Sequence, residues 1–361
     1  MEALLVFENI TIKSHRGNYD VEFFSDIDDV FNEVNNSLTH FLIDEKVAQL
    51  YKKNLDQILQ NPNTLIIKSS EENKSIEQII DIIRKLVKNK VRRGQSLCAI
   101  GGGIIQDIAC FTAATLLRGL EWSFVPTTLV AQADSCIGSK SSVNLGKVKN
   151  ILGTFNPPKK IFLCSNFLET LEKQEIQSGL GEILKVHAIA GKRKLDNVRR
   201  DIEKLLKEKK VLSKYIYASL LIKKKYIEAD EFDKGIRNIF NYGHSFGHAI
   251  ETATDFKVPH GVAVTMGMDL ANYIASQRQL VSGAFYKKMH ETLLKNYRDF
   301  KHIHFSIDDM LSALKKDKKN TAEKLVLILP VGENADIKKV ELNLDKNFIK
   351  QCQKFIETNL L

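Results

Sequence analysis

Paired cysteines are missing from this chain. Its 361 residues hold five, Cys98, Cys110, Cys136, Cys164 and Cys352, odd in number and without CxxC or zinc-finger spacing. That excludes a disulfide framework and a cysteine-built zinc site, and it predicts free thiols in a reducing compartment. No run of about 18 apolar residues occurs, so no membrane span or membrane partner is expected. The opening stretch MEALLVFENI puts Glu2 where a secretory leader would carry basic residues, and the expected location is the cytoplasm. Internal repeats and low-complexity segments are absent too.

What is present is a soluble, globular composition. A chain of this length with 43% hydrophobic residues can bury two ordinary cores, and two domains are expected. The net charge of +9 is concentrated in GKRKLDNVRRDIEKLLKEKK (191 to 210) and KKKY (223 to 226). Leu, Ile and Val recur there at helical spacing, so these read as solvated helix faces rather than a nucleic-acid surface. A small anionic substrate also suits the charge.

The first 170 residues alternate short apolar runs with helical patterns. ENITIKS and YDVEFF read as a hairpin, HFLID and NTLIIKSS as strands, SIEQIIDIIRKLV as a helix, and SLCAIGGG as a strand entering a glycine turn. This predicts an α/β domain over 1–170 with a largely parallel sheet. From 171 to 361 amphipathic helices dominate, from KQEIQSGLGEILKVHAI to FIKQCQKFIETNL, broken by KLVLILP near 324 to 330, so the second domain is expected to be all-helical.

Three stretches carry chemistry. In CAIGGGIIQDIACF the strand ends at Gly101, Gly102 and Gly103 and a helix follows, with Asp107 in its first turns. Glycines admit a ligand close to the backbone, and a helix start offers unpaired N–H groups, which together suit a pyrophosphate. A plain strand-to-helix connection reads the same way, and the dinucleotide fingerprint GxGxxG is not matched. Beyond the next strand, Asp134 precedes Lys140, Asn144, Lys149 and Asn150 in a glycine-punctuated loop, which fits either phosphate and hydroxyl recognition or an ordinary surface loop.

The third is NYGHSFGHAIE, 241 to 251. His244 and His248 share a helix face and could hold a metal together, although Ser245 stands where an HExxH enzyme needs glutamate. Glu182 and Lys185, three apart on the otherwise apolar SGLGEILKVH, are a second source of ligands or a simple ion pair. His260 follows Pro259 at a loop-to-helix junction. Metal binding, acid/base work, or both remain open on spacing alone.

Taken in order, GGGIIQDIACFTAATLLRG, VPTTLVAQADSCIGSKSSVN, SGLGEILK and IRNIFNYGHSFGHAIE resemble 3-dehydroquinate synthase and the wider sugar-phosphate cyclase family, most densely from 97 to 268. The resemblance implies an N-terminal NAD-binding α/β domain and a C-terminal helical domain holding zinc, with cobalt as the alternative ion. It implies Glu182, His244 and His260 as metal ligands, and His248, Asp233 and Lys185 as catalytic residues. The NAD positions it implies are Asp44, Glu71, Lys74, Gly102, Gly103, Asp107, Thr127, Thr128, Lys149 and the stretch Phe167 to Thr170. Substrate positions are Asp134, Lys140, Asn150, Lys223, Arg237 and Asn241, with Lys318 or Lys319, and Arg118 supplied across a homodimer interface.

The implied reaction converts 3-deoxy-D-arabino-heptulosonate 7-phosphate to 3-dehydroquinate and phosphate by transient NAD-dependent oxidation, elimination, reduction and intramolecular aldol closure. The sequence departs from the family pattern at Asp233 (usually glutamate), Val262, LGKVKN, Ser178, and Val186 with His187. These departures bear on the substrate. A cyclase of sedoheptulose 7-phosphate or glucose 6-phosphate is the alternative, with a metal- and NAD-dependent polyol or glycerol-phosphate dehydrogenase behind it.

Overall fold

A computed structural model describes residues 7–146, 148–315 and 324–360. The chain divides into two compact units. One comprises the residues up to Glu172 together with Ile216–Phe232, the other Lys173–Tyr215 with Asp233 onward.

The described residues of the first unit form nine strands: β1 (Ile10–Ile12), β2 (Tyr19–Phe24), β3 (Thr39–Asp44), β4 (Thr64–Ile67), β5 (Ser96–Gly101), β6 (Glu121–Pro126), β7 (Val143–Leu145), β8 (Val148–Leu152) and β9 (Lys160–Cys164). Seven form one sheet in the order β1-β2-β9-β6-β5-β3-β4, antiparallel at β1–β2 and parallel elsewhere, while β7 and β8 form a separate ribbon. The expected hairpin, strands and glycine turn are all present. Helices α1 (Ile27–Val34), α2 (Glu45–Leu50) and α3 (Asp56–Leu59) bury Val30, Phe31, Val47 and Ile58 in a core with Phe41, Ile43, Ile100, Val125 and Phe162 from the sheet. Helices α4 (Ile76–Lys88) and α5 (Gly103–Thr115) pack on each other, and α5 also packs on β5 and β6. Such near-continuous apolar strands belong to a parallel sheet covered on both faces.

The chain order reverses beside β3: the connection from β3 leads outward to β4, then returns to β5 on the other side of β3. In open α/β sheets the crevice at the carboxyl ends of the strands flanking such a reversal is where ligands bind. Here those ends carry Asp44 and Gly101.

The second unit contains α6 (Lys173–Ile189), α7 (Lys192–Leu205), the start of α8 (Lys209–Ala229), α9 (His244–Ala253), α10 (His260–Gln277), α11 (Gly283–Tyr297), α12 (Ile307–Lys315) and α13 (Lys346–Asn359). Helices α6 and α10 are buried almost all round, as expected of helices through the middle of a core. Among its described residues the unit is helical apart from one antiparallel hairpin of β10 (Lys324–Val331) and β11 (Asp336–Asn343). The first strand was legible as KLVLILP. The second, DIKKVELN, is polar and largely exposed and offered no apolar run to read. No helix among the described residues is long and apolar enough to cross a membrane.

Candidate active site

On the first unit the polar residues gather around the strand ends. Gly102 is the N-cap of α5 and supplies no side-chain cap, which leaves the helix's first N–H groups to other acceptors. A Cβ at Gly102 would stand 2.9 Å from Thr128 Cγ2, and one at Gly101 would press on Ile105 and Asp44, so the backbone is exposed there because the side chains are absent. The Thr127 N–H donates to Gly101 O at 2.9 Å, fixing β6 against the turn. Asp44 caps α2 through the Lys46 N–H, and its burial pushes its carboxyl up.

Beside the turn lies a connected network. Lys74 Nζ is 3.3 Å from Glu71 and 3.5 Å from Asp107, and it donates to Asn150 Oδ1 at 2.9 Å. Burial pushes Asp107 up to about 6 against the pull of Lys74. Asn144, which the sequence offered as part of either a phosphate- and hydroxyl-binding loop or an ordinary surface loop, ties this network together: its amide donates to Glu71 and its carbonyl accepts from the Asn150 N–H at 2.8 Å. Asn150 is held in a left-handed conformation, φ 53°. Lys149 is exposed, whereas the Phe167 side chain packs in the core against Phe31 and Tyr51, and its carbonyl accepts from the Tyr51 and Thr170 hydroxyls. Thr170 Oγ1 shares a hydrogen bond with Tyr51 at 2.9 Å.

Asp134 sits in a π-helical turn, Ala131–Ser135, and Gln106 and Ser135 lock that turn to α5 with a reciprocal pair of 2.7 Å hydrogen bonds. Lys223 Nζ meets Asp134 Oδ1 at 2.7 Å and donates to its carbonyl at 2.6 Å. Lys223 is 7% exposed while Lys225 faces solvent, so the KKK run is not one uniform surface. Lys140 is exposed, and Arg118 is exposed on a turn where Leu117, Arg118 and Gly119 all have positive φ.

On the second unit, glycines let three helices meet at backbone distance. A Cβ at Gly181 of α6 would lie 2.0 Å from Gly261 O, and one at Gly261 of α10 would lie 1.8 Å from Ser178 O. Ser178, one of the departures noted above, accepts the Gly261 N–H at 2.9 Å. A Cβ at Gly267 would strike Gly243 O in the same way, bringing α9 onto α10. These contacts deliver Glu182, His244, His248 and His260 to one place.

Ligand atoms of His244, His248 and His260 all lie within 4.8 Å of one another. Glu182 Oε1 is 3.4 Å from His260 Nε2 and 3.9 Å from His244 Nε2, and Lys185 Nζ is 2.5 Å from Oε2. Glu182 is 1% exposed; its Oε2 is paired with the Lys185 ammonium, while Oε1 is turned toward the imidazole nitrogens of His260 and His244. A carboxylate oxygen and two imidazole nitrogens converging in this way are the donor set of a divalent cation such as zinc.

Burial opposes ionisation of Glu182, but Lys185, His260 and His244 hold it well below the usual carboxylate range. Burial and Lys185 hold His244 well below its ordinary value, keeping it neutral. Burial also opposes charge on His260, but Glu182 and Glu251 push it up to about 10. Asp233 has a left-handed backbone, φ 56°, and accepts from Asn238 through its carbonyl; Arg237 is buried, and Asn241 donates to Asn238 O. Lys318 and Lys319 lie outside the described residues. Glu251 was missed, although it follows His244 by seven and His248 by three on the same helix face.

The parallel sheet carries a glycine-turn crevice, and the helical unit carries a carboxylate–imidazole cluster with the donor set of a divalent-cation site. Residues 64–178 match the family described as 3-dehydroquinate synthase N-terminal, and residues 179–320 match 3-dehydroquinate synthase C-terminal. A 3-dehydroquinate synthase of Alkaliphilus metalliredigens is 35% identical over 296 residues, 81% of this chain and 83% of that one. The chain belongs to the 3-dehydroquinate synthase family.

Among solved structures, 2-deoxy-scyllo-inosose synthase complexed with carbaglucose-6-phosphate, NAD+ and Co2+ superposes with a TM-score of 0.82 at 21% identity, covering 98% of this chain and 100% of that one. The 2-epi-5-epi-valiolone synthase of Streptomyces hygroscopicus, with NAD+ and Zn2+ bound, gives 0.80 at 23% identity and covers 99% of both. At these identities the likeness is one of fold.

Proposed function

We propose that the chain is a 3-dehydroquinate synthase, a carbon–oxygen lyase that turns 3-deoxy-D-arabino-heptulosonate 7-phosphate into 3-dehydroquinate and phosphate with NAD and a divalent ion, zinc or cobalt. Family membership supports the reaction, and the observation that carries the site is the buried Glu182 beside His244 and His260. NAD would be held by the crevice of Asp44, Gly102, Gly103, Thr127 and Thr128 with the network of Glu71, Lys74 and Asp107, and the metal by Glu182, His244 and His260. When bound, NAD supplies a reversible hydride acceptor and the metal polarises substrate hydroxyls.

The remaining residues bind, orient and move protons. His244 presents Nδ1 to Tyr242 O at 3.3 Å and His260 presents Nδ1 to Glu251, which leaves each Nε2 on the Glu182 side as a ligand. His248 is exposed at the cluster and suits proton transfer instead. Asp134, Lys140, Asn150, Lys223, Arg237 and Asn241 are assigned to the substrate's phosphate, carboxylate and hydroxyls, and Lys185 and Asp233 to catalysis with His248. Arg118 is assigned to the neighbouring chain of a homodimer, which sedimentation of the purified protein would test.

Lys223 is buried against its counter-charge Asp134, so it belongs to a built polar site, and the acidic substrate follows from family membership. A desolvated ammonium is retained where it meets counter-charge, and a solvated helix face would have no use for it there. Purified protein incubated with NAD and each candidate sugar phosphate is expected to release phosphate from the heptulosonate without net NADH. Release from sedoheptulose 7-phosphate or glucose 6-phosphate alone would hand the site to another cyclase, and stoichiometric NADH would hand it to a dehydrogenase. Lys223→Met should lower turnover by the equivalent of about 2 to 5 kcal/mol, since it breaks a buried charge pair, while Lys225→Met changes it little. Equal effects of the two would return Lys223 to a structural role.

The glycine turn has its own test. Gly102→Val forces Thr128 aside and fills the approach to the α5 N-terminus, and it should weaken NAD binding at least about tenfold in calorimetric titration while the chain stays folded. Unchanged affinity in a folded variant would reduce the turn to a connection.

A further inference from the structure

We infer that Glu251 is the positioning residue of the metal centre: its carboxylate fixes the ring of His260 through Nδ1 so that Nε2 faces Glu182. This rests on the reading of Glu182, His244 and His260 as ligands. His260 is the first residue of α10, its N-cap is Pro259, and no side chain caps that end. A histidine at a helix start has no preceding turn to restrict its side chain, so its ring must be oriented by something else.

Glu251 supplies that orientation from α9. Its Oε1 and Oε2 lie 3.3 and 3.2 Å from His260 Nδ1, on the far side of the ring from the Glu182 oxygen at 3.4 Å from Nε2. The same residue anchors the connection that carries His260, because the Phe256 N–H donates to Glu251 O at 2.8 Å and Asp255 and Phe256 turn the chain with positive φ. One residue thus sets both the path of the loop and the direction of the ring.

A carboxylate on the remote nitrogen of a ligating imidazole also raises the basicity of the coordinating nitrogen, and losing such a partner typically weakens metal binding about 10- to 100-fold. His244 uses a backbone carbonyl, Tyr242 O, for the same purpose, so side-chain substitution can reach the partner of His260 but not that of His244.

The test is zinc affinity by chelator competition, with the visible spectrum of the cobalt-substituted protein, on Glu251→Gln, Glu251→Asp and Glu251→Ala. Glu251→Gln should keep the melting temperature of the metal-free chain, lose zinc affinity about 10- to 100-fold and shift the cobalt bands. Glu251→Asp should recover part of the affinity, a recovery that a purely structural role would not produce. Glu251→Gln with wild-type affinity and spectrum would overturn the inference. If Glu251→Ala fails to fold, the glutamine and aspartate variants decide. His260→Ala separates the two readings: zinc retained in it refutes the ligand set, while zinc lost from it but held normally by Glu251→Gln refutes the positioning role alone.

Discussion

Purified Glu182→Gln, His244→Ala and His260→Ala are each expected to come off a metal-free column with almost no divalent ion, whereas His248→Ala should keep its ion and lose turnover by a factor of about 100 to 10,000. Distance alone does not force this outcome, because His248 lies in the same 4.8 Å cluster as the other two histidines. What separates them is the state of their surroundings. Glu182 is buried with Oε2 on Lys185 and Oε1 toward the histidines, and the nitrogens of His244 and His260 nearest to it are Nε2, each ring having its Nδ1 beside a separate oxygen. His248 is exposed, as a group that exchanges protons with substrate should be. Glutamine is preferred to alanine at 182 because removing the whole side chain would strand the Lys185 ammonium, which is 3% exposed at its side chain. Metal analysis of the four proteins checks the expectation. Ion lost from His248→Ala but kept in Glu182→Gln would make the centre a three-histidine site.

Much of the first unit was legible because its signals are local. A six-residue apolar strand that runs into three glycines and then a 13-residue helix can hardly be read another way, and the parallel sheet follows from the alternation of such strands with helices. The β11 strand was illegible for the opposite reason, since its alternating exposed residues carry charge rather than apolar side chains. The grouping of 216–232 with the first unit was also hidden: α8 is one continuous helix of 21 residues, and a helical apolar stripe does not say which core it enters.

At the site the difficulty was of another kind. Spacing on α9 paired His244 with His248, because four residues apart is a property of one helix, whereas His260 and Glu182 arrive from two other helices. Phe167 was assigned to the cofactor stretch, yet its ring lies in the core, a distinction that depends on the turn after β9 and not on residue type. Glu251 did have a signal, its place one turn beyond His248, but a glutamate near the end of a helix is common and the pattern gains meaning once His260 Nδ1 is seen beside it.

The glycines of the second unit carry the remaining large effect, and Gly261→Ala is expected to cost the protein both stability and metal. Its added methyl would sit 1.8 Å from Ser178 O, a backbone atom within a buried helix, so no rotamer change can relieve it. Helices α6 and α10 must separate, and overpacking of this kind costs typically about 1 to 3 kcal/mol, more where backbone meets backbone. For a unit of this size about 3 kcal/mol corresponds to a melting temperature roughly 6 to 12 °C lower. The same movement lengthens the path between Glu182 on α6 and His260 on α10, and it breaks the hydrogen bond from the Gly261 N–H to Ser178. Metal affinity therefore falls with stability, although no ligand has been changed. Gly283→Ala is the matched control: it stands in the first turn of α11 with nothing within 4 Å of the added atom, so the alanine should be neutral or slightly stabilising and leave the ion bound. Thermal melts and metal content of the two variants decide the matter, and a Gly261→Ala protein that melts like the wild type with a full complement of metal would mean that the close approach of α6 and α10 does not hold the centre together.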